Sequence, residues 1–291
     1  MYSEPSYSGK PNQKIFPPEI QDLLLEEGSK VIGSNETALG TGIIATLGTA
    51  RSGKTTLAYG MIDFVVHHTK RPVYLAGFPE IVINEGIPKH WEGRVQTRSI
   101  EDIYKVESNE PAVWLLDDSA VNHGSRDSMS KRGKFLARIA GVISHFGGGQ
   151  TIIYTTQSLA GVDKSLFRFC ETVTVVRYMA NAGMKGERGE WREEVSYSQY
   201  LLHKANNSVG LNSRRLRSFY VTVSDHDKNE PYRIVPYVRP DWLFNDLTPY
   251  QKDLLSRPFR YMKIEDRELM INPTAPKKKR KSKIIEDEDN E

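Results

Sequence analysis

An α/β protein, its parallel sheet covered by helices on both faces, is what this sequence predicts, on two observations. Short runs that are apolar throughout, such as "GIIATL" and "AVWLL", recur up to residue 178 and are separated by stretches of helical spacing. A strand buried on both faces shows no polar side, so a continuous apolar run suits a parallel sheet better than an alternating one does. A glycine-rich turn ending in Lys-Thr follows the first such run and opens a helix.

In chain order, residues 1–36 read as a Pro-, Ser- and Gly-rich arm holding one short helix in "PPEIQDLLLEEG". Pro18 suits the first helical position, where its missing N–H is no loss, and Gly28 suits the end. Ile20, Leu23 and Leu24 share that helix's apolar face, which must pack on the body or on a neighbouring subunit. The core, residues 37–178, then alternates. Strands are expected at 42–47, 72–77, 112–117, 151–156 and 172–177, with helices at about 55–68, 130–146 and 163–169.

Past Arg177 the alternation stops. Residues 179–262 form a C-terminal appendage: a glycine-punctuated mobile loop, "MANAGMKGERGEWREE", and two strands around a polar turn in "RSFYVTVSDHDKNEPYRIVPYVRP". Residues 263–291 are a mobile charged tail, because "PKKKRKSK" followed by "EDEDNE" has too little apolar surface to offset the entropy of ordering.

Composition excludes several classes. With 38% apolar and 26% charged residues the chain is an ordinary globular one. No apolar stretch reaches the roughly 18 residues a membrane-crossing helix needs, and "MYSEPSYSGK" lacks the basic-then-apolar layout of a secretory signal. A lone cysteine, Cys170, makes neither an internal disulfide nor a cysteine cluster for zinc, which points to a reducing cytoplasm. A net charge of +3 is too small to announce a nucleic-acid binder by itself.

The chemistry concentrates at the strand ends. Gly48, Thr49, Ala50, Arg51, Ser52, Gly53, Lys54 and Thr55 spell Gly-x4-Gly-Lys-Thr between a strand and a helix. Glycines let successive N–H groups turn inward, and the helix N-terminus adds the positive end of its dipole. Lys54 then reaches the outer phosphates of ATP, Thr55 holds Mg²⁺, and Thr56 can touch the inner phosphate. "PAVWLLDDSA" brings Asp117 and Asp118 to the same sheet edge: Asp117 as the magnesium holder, Asp118 as base or orienter for an attacking water. In "GGGQTIIYTTQS" a strand ends in Gln157, placed to bond the γ-phosphate or the water, or else simply a polar strand end.

With "GTARSGKTT", "VWLLDDS" and "HFGGGQTIIYTTQSLAGVDKSLFRFCETV" assembled, the region from about residue 40 to 178 resembles the FtsK/HerA class of P-loop ATPases. That class includes DNA translocases, viral genome-packaging ATPases and the ATPase domain of zonula occludens toxin-like phage proteins. The resemblance implies a RecA/ASCE-like P-loop sheet in which the Gln157 strand lies between the phosphate-loop strand and the Asp117 strand. It also implies subunits in a ring, usually a hexamer, around double-stranded DNA, with Asp118 as catalytic acid, Gln157 as sensor and an arginine from the adjacent subunit. Arg168 is the first choice for that arginine and Arg138 the second. Glu is usual in the class where Asp118 stands here.

Arg126, Lys131, Arg132 and Lys134, in the loop after the aspartates, are candidate DNA contacts. "PKKKRKSK" reads as nonspecific DNA grip, as a nuclear-import-like signal or as a solubilising end, the first fitting a motor best. His123 and His145 have no companions at metal-ligand spacing. The leading expectation is an ATP-driven DNA translocase or genome-packaging motor. Its rivals are a small-molecule or nucleoside kinase with residues 179–194 as a lid, and a nucleotide-switched scaffold with weak hydrolysis.

Overall fold

A computed structural model describes residues 16–25, 42–99, 102, 111–117, 150–158, 171–179, 184–185, 189–208, 218–224, 231–237 and 239–262. Among the described residues the strands are β1 (Gly42–Leu47), β2 (Val73–Ala76), β3 (Val95–Arg98), β4 (Val113–Leu116), β5 (Thr151–Thr156), β6 (Glu171–Val176), β7 (Phe219–Ser224) and β8 (Tyr232–Pro236). They form one sheet in the order β3-β2-β4-β5-β1-β6-β7-β8. From β3 to β6 every neighbouring pair is parallel, whereas β7 and β8 join antiparallel. The Gln157-bearing β5 therefore lies between β1 and β4, as the resemblance implies, and the expected hairpin adds to the β6 edge of the same sheet.

The helices are α1 (Pro18–Leu25), α2 (Lys54–His68), α3 (Gly189–Ser208), α4 (Trp242–Asn245) and α5 (Pro249–Ser256). Ile44 of β1 and Leu57, Met61 and Phe64 of α2 belong to the main core, while Leu47 packs with Val195 of α3. Since residues an odd number apart point to opposite faces of a strand, α2 and α3 cover opposite faces of the sheet.

Ile20, Leu23 and Leu24 of α1 are buried in the main core, so the arm's helix packs on the body of its own chain. Arg71 holds it there. Its Nη1 donates to the carbonyls of Leu23 and Leu24 at the helix C-terminus, at 2.9 and 3.0 Å, and its Nη2 donates to Ala112 O and Thr151 Oγ1 at the strand ends. Carbonyls with no partner in their own helix are satisfied by a buried cation.

Two expectations are corrected. Residues 72–117 hold an extra strand, β3, whose "VQTR" buries only Val95 fully and so carries no apolar run. Residues 189–194, expected in a mobile loop, begin the 20-residue α3. The buried positions of α3 are Val195, Ser198, Gln199, Leu202 and Asn206, which keep helical spacing but are mostly polar. The expected helices at 130–146 and 163–169 lie outside the described residues. Among the described residues no helix is long and apolar enough to cross a membrane.

Candidate phosphate-binding site

Parallel pairing brings the chemistry to one edge. β1 pairs β5 with Leu47 opposite Thr156, and β6 with Leu47 opposite Val176, so the chain enters the loop at Gly48 between two ordered strand ends. Gly48 N donates to Thr156 O at 3.2 Å and Thr49 N to Tyr178 O at 3.0 Å, which fixes the first two residues of the loop. Arg51 at φ 64° and Gly53 at φ 90° then take left-handed backbone. Only glycine enters that region without steric cost, and such reversals are what curl successive N–H groups toward a common centre. Lys54 starts α2, so the helix N-terminus opens directly onto the loop.

Lys54 is buried, and its Nζ donates to the carbonyls of Gly48 at 2.9 Å and Thr49 at 3.2 Å. The ammonium thus lies folded over the loop. Thr55 Oγ1 donates toward Asp117, 3.4 Å from Oδ1 and 3.3 Å from Oδ2. Asp117, buried immediately after β4, also accepts from Thr155 Oγ1 at 2.5 Å. A hydroxyl on the helix and a carboxylate two strands away therefore face one point at the sheet edge. Behind them Tyr59 donates to Leu255 O at 2.8 Å, and burial, then the charge of Asp117, raises its phenol well above the ordinary value.

Arg177, fully buried just past β6, was read only as a strand end, yet it supports the loop from beneath. Its Nε and Nη2 donate to Ser52 O at 3.1 and 2.9 Å, Nη1 donates to Phe219 O at 2.8 Å, and its guanidinium lies 4.4 Å from the Tyr237 ring centre. Gln199 of α3 donates to Arg177 O at 2.9 Å, tying the opposite-face helix to the same post. Thr155 and Arg177 escape a motif search because their roles depend on strand order and on residues distant in sequence.

Three features fit a nucleoside triphosphate with Mg²⁺. Ser52 Oγ is buried inside the loop with no hydrogen-bond partner, an orphan that a phosphate oxygen can satisfy. A Cβ on Gly48 would lie 2.5 Å from Ser52 Oγ and 2.9 Å from Arg177 Cβ, so the loop closes tightly only around glycine. Oxygen donors are what Mg²⁺ takes, and Thr55 and Asp117 offer them side by side.

Of the other expected site residues, Thr56 follows Thr55 in the first turn of α2, and Gln157 is exposed at the end of β5, one residue past the Leu47–Thr156 pair. Ala50 and Arg51 are exposed at the tip of the loop. Asp118, Arg126, Lys131, Arg132, Lys134, Arg138 and Arg168 lie outside the described residues, as do His123, His145 and the tail.

No protein-family model matches the chain, and no curated protein matches it. Among solved structures it is similar to the genome packaging NTPase B204 from Sulfolobus turreted icosahedral virus 2 in complex with AMPPCP. There the identity is 13% and the TM-score 0.44, over 67% of this chain and 97% of that chain. It is also similar to ATPases 2 and 3 of EssC from Geobacillus thermodenitrificans, at 10% identity and TM-score 0.44, over 87% of this chain and 46% of that one. A third is the cytoplasmic domain of the Thermomonospora curvata type VII secretion ATPase EccC, at 8% identity and TM-score 0.41, over 68% of this chain and 25% of that one. Likenesses of that degree assign no activity. By its own strand order, and by the loop between β1 and α2, the chain has the α/β architecture of a P-loop NTPase.

Proposed function

We propose that the chain is an Mg²⁺-dependent ATPase that drives double-stranded DNA, as a translocase or a genome-packaging motor, working as a ring of identical subunits. The observation that carries the ATPase reading is the convergence of Thr55 and Asp117, 3.3 Å apart, beside a loop that folds Lys54 over its own carbonyls. The DNA and ring readings rest on the sequence elements "VWLLDDS" and "HFGGGQTIIYTTQSLAGVDKSLFRFCETV" and their resemblance to DNA motors.

In this reading the backbone N–H groups of residues 53–55, with the α2 dipole behind them, bind and orient the phosphates. Lys54 swings from the Gly48 and Thr49 carbonyls to the outer phosphate oxygens, exchanging two neutral acceptors for charged ones. Thr55 and Asp117 would hold the Mg²⁺, which would supply positive charge to offset that of the phosphates. Thr155, donating to Asp117 Oδ1, holds the carboxylate with both of its oxygens, at 3.4 and 3.3 Å, turned to Thr55 Oγ1. Asp118, one residue past the fixed Asp117, takes the water's proton, Gln157 orients the water or the γ-phosphate, and Arg168 completes the site of the adjacent subunit. Arg126, Lys131, Arg132 and Lys134 grip DNA phosphates.

The test is ATP hydrolysis by the purified chain with and without linear double-stranded DNA, together with its mass in solution with nucleotide bound. The proposal expects DNA stimulation in a particle of ring mass. A monomer whose turnover ignores DNA but rises with a small acceptor overturns it in favour of a kinase.

A further inference from the structure

Some nine residues along α2 from Lys54, about 14 Å at helical rise, a second group of chemistry-bearing side chains converges. Asp63 and His67 stand one turn apart on α2, and His90 comes to them from the short 3-10 turn Lys89–Trp91 in the β2–β3 connection. Ligand atoms of the three lie within 4.8 Å of one another. We propose that Asp63, His67 and His90 form a binding site for a divalent transition-metal ion of the Zn²⁺ class, independent of the phosphate site.

The hydrogen bonds prepare each group for this. His67 Nδ1 lies 2.8 Å from the Asp63 carbonyl, which can only accept, so Nδ1 carries the proton and Nε2 keeps the lone pair. Zinc-ligating histidines are commonly held in this way, one ring nitrogen donating to a carbonyl while the other meets the metal. Asp63 is 1% exposed, and its Oδ1 accepts from Trp91 Nε1 at 3.0 Å and from His90 Nε2 at 2.6 Å. Trp91 orients the carboxylate from the protein side, and its Oδ2 lies 3.7 Å from His67 Nδ1, the nitrogen whose hydrogen goes to the Asp63 carbonyl.

Both histidines reach solvent, and their ring centres are 5.1 Å apart. An ion can therefore enter from water. It takes the place of the hydrogen bond between His90 Nε2 and Asp63 Oδ1, the His90 Nε2 hydrogen passing to Nδ1 or to water as the lone pair turns inward. Two neutral imidazoles and one carboxylate give a site of charge −1. Nitrogen donors select Zn²⁺, Co²⁺, Ni²⁺ or Cu²⁺ over Mg²⁺ and Ca²⁺, which want oxygens. Three protein ligands leave a fourth position to water.

Occupied, the site pins the β2–β3 connection to α2. Because His90 and Trp91 both pack edge-on against Trp242 at 5.7 and 5.0 Å, the clamp also steadies α4. Its role is to stiffen the wall behind the nucleotide helix.

The experiment titrates Zn²⁺ into the purified full chain against a chromogenic chelator, and Co²⁺ with its visible absorption recorded, while thermal melting is followed. His67→Gln and His90→Gln are compared with His203→Gln, an exposed α3 histidine outside the cluster. The proposal expects one equivalent bound, a four-coordinate Co²⁺ spectrum and a melting rise on Zn²⁺. Each cluster variant should bind at least ~10-fold more weakly, and His203→Gln as the wild type does. No stoichiometric binding by the wild type, or binding that survives both cluster variants, or binding lost equally in His203→Gln, overturns it.

Discussion

The guanidinium of Arg177 donates twice to the carbonyl of Ser52, at 3.1 and 2.9 Å, so the Gly48–Thr55 loop rests on the residue that follows β6. Nη1 bonds Phe219 in β7. The hairpin beyond β6 is thereby joined to the loop, which gives residues past the sheet's parallel part a physical hold on the proposed nucleotide site.

Arg177→Ala leaves Ser52 O and Phe219 O without these donors and empties a fully buried volume. At about 1–3 kcal/mol for each buried polar group left unsatisfied, the loss should be about 3 kcal/mol or more. Melting should fall by roughly 6–12 °C, and a fluorescent nucleotide should bind at least ~10-fold more weakly because the loop is no longer held. Equal nucleotide affinity in the folded variant would contradict the brace.

Thr55→Ala and Asp117→Asn test the metal pair. Each should cut Mg²⁺-dependent turnover by about 100-fold or more, the scale on which losing one charge-stabilising group at a reacting centre is felt. Metal-free nucleotide should still bind both variants, since the loop backbone is untouched. Titrating Mg²⁺ at fixed ATP separates the two effects.

Gly48 and Gly93 make a contrast in one substitution. Alanine at Gly48 puts a Cβ against Ser52 Oγ and Arg177 Cβ, so the loop must shift and the cost should be about 1–3 kcal/mol with loss of nucleotide binding. Alanine at Gly93 meets nothing within 4 Å and pays only for φ +75°, about 1–2 kcal/mol, with binding unchanged. Denaturant unfolding and nucleotide titration on both variants read this directly.

Burial raises the phenols of Tyr59, Tyr220 and Tyr237 above the ordinary tyrosine value, so each stays neutral in the folded chain at a pH where the unfolded chain ionises. The stability they contribute is fully present below about pH 10, the unfolded value, and is lost as pH rises from there toward the folded values. Tyr220 Oη has no hydrogen-bond partner, so Tyr220→Phe should be neutral near pH 7 and should move the alkaline unfolding midpoint upward. Tyr59→Phe should cost about 1–2 kcal/mol near pH 7, because Leu255 O loses its donor. Equilibrium unfolding from pH 7 to 11 distinguishes them.

What was legible in the sequence was what local chemistry determines. The strand at 42–47 is apolar but for Thr46, that at 151–156 centres on Ile152, Ile153 and Tyr154, and Gly48 to Thr55 carry their glycines and Lys-Thr in order. What escaped were elements stabilised by partners distant in sequence. β3 gains its place from β2 rather than from its own apolar residues, and α3 buries Ser198, Gln199 and Asn206, which no hydrophobic pattern marks. Gln199 is buried because it bonds both Arg177 O and Met179 N, a pairing visible only once β6 and α3 meet. The Asp63–His67–His90 cluster hid for the same reason, two of its members on a helix and the third on a turn well along the chain.

ATP hydrolysis with Mg²⁺ by the wild-type chain beside Lys54→Ala decides whether Lys54, Thr55 and Asp117 make one nucleotide-hydrolysing site. Steady phosphate release by the wild type and its loss in the variant are expected, with the two chains melting within a few degrees of each other. Phosphate release that Lys54→Ala leaves intact, or none from a wild type that fails to bind ATP, would contradict that expectation.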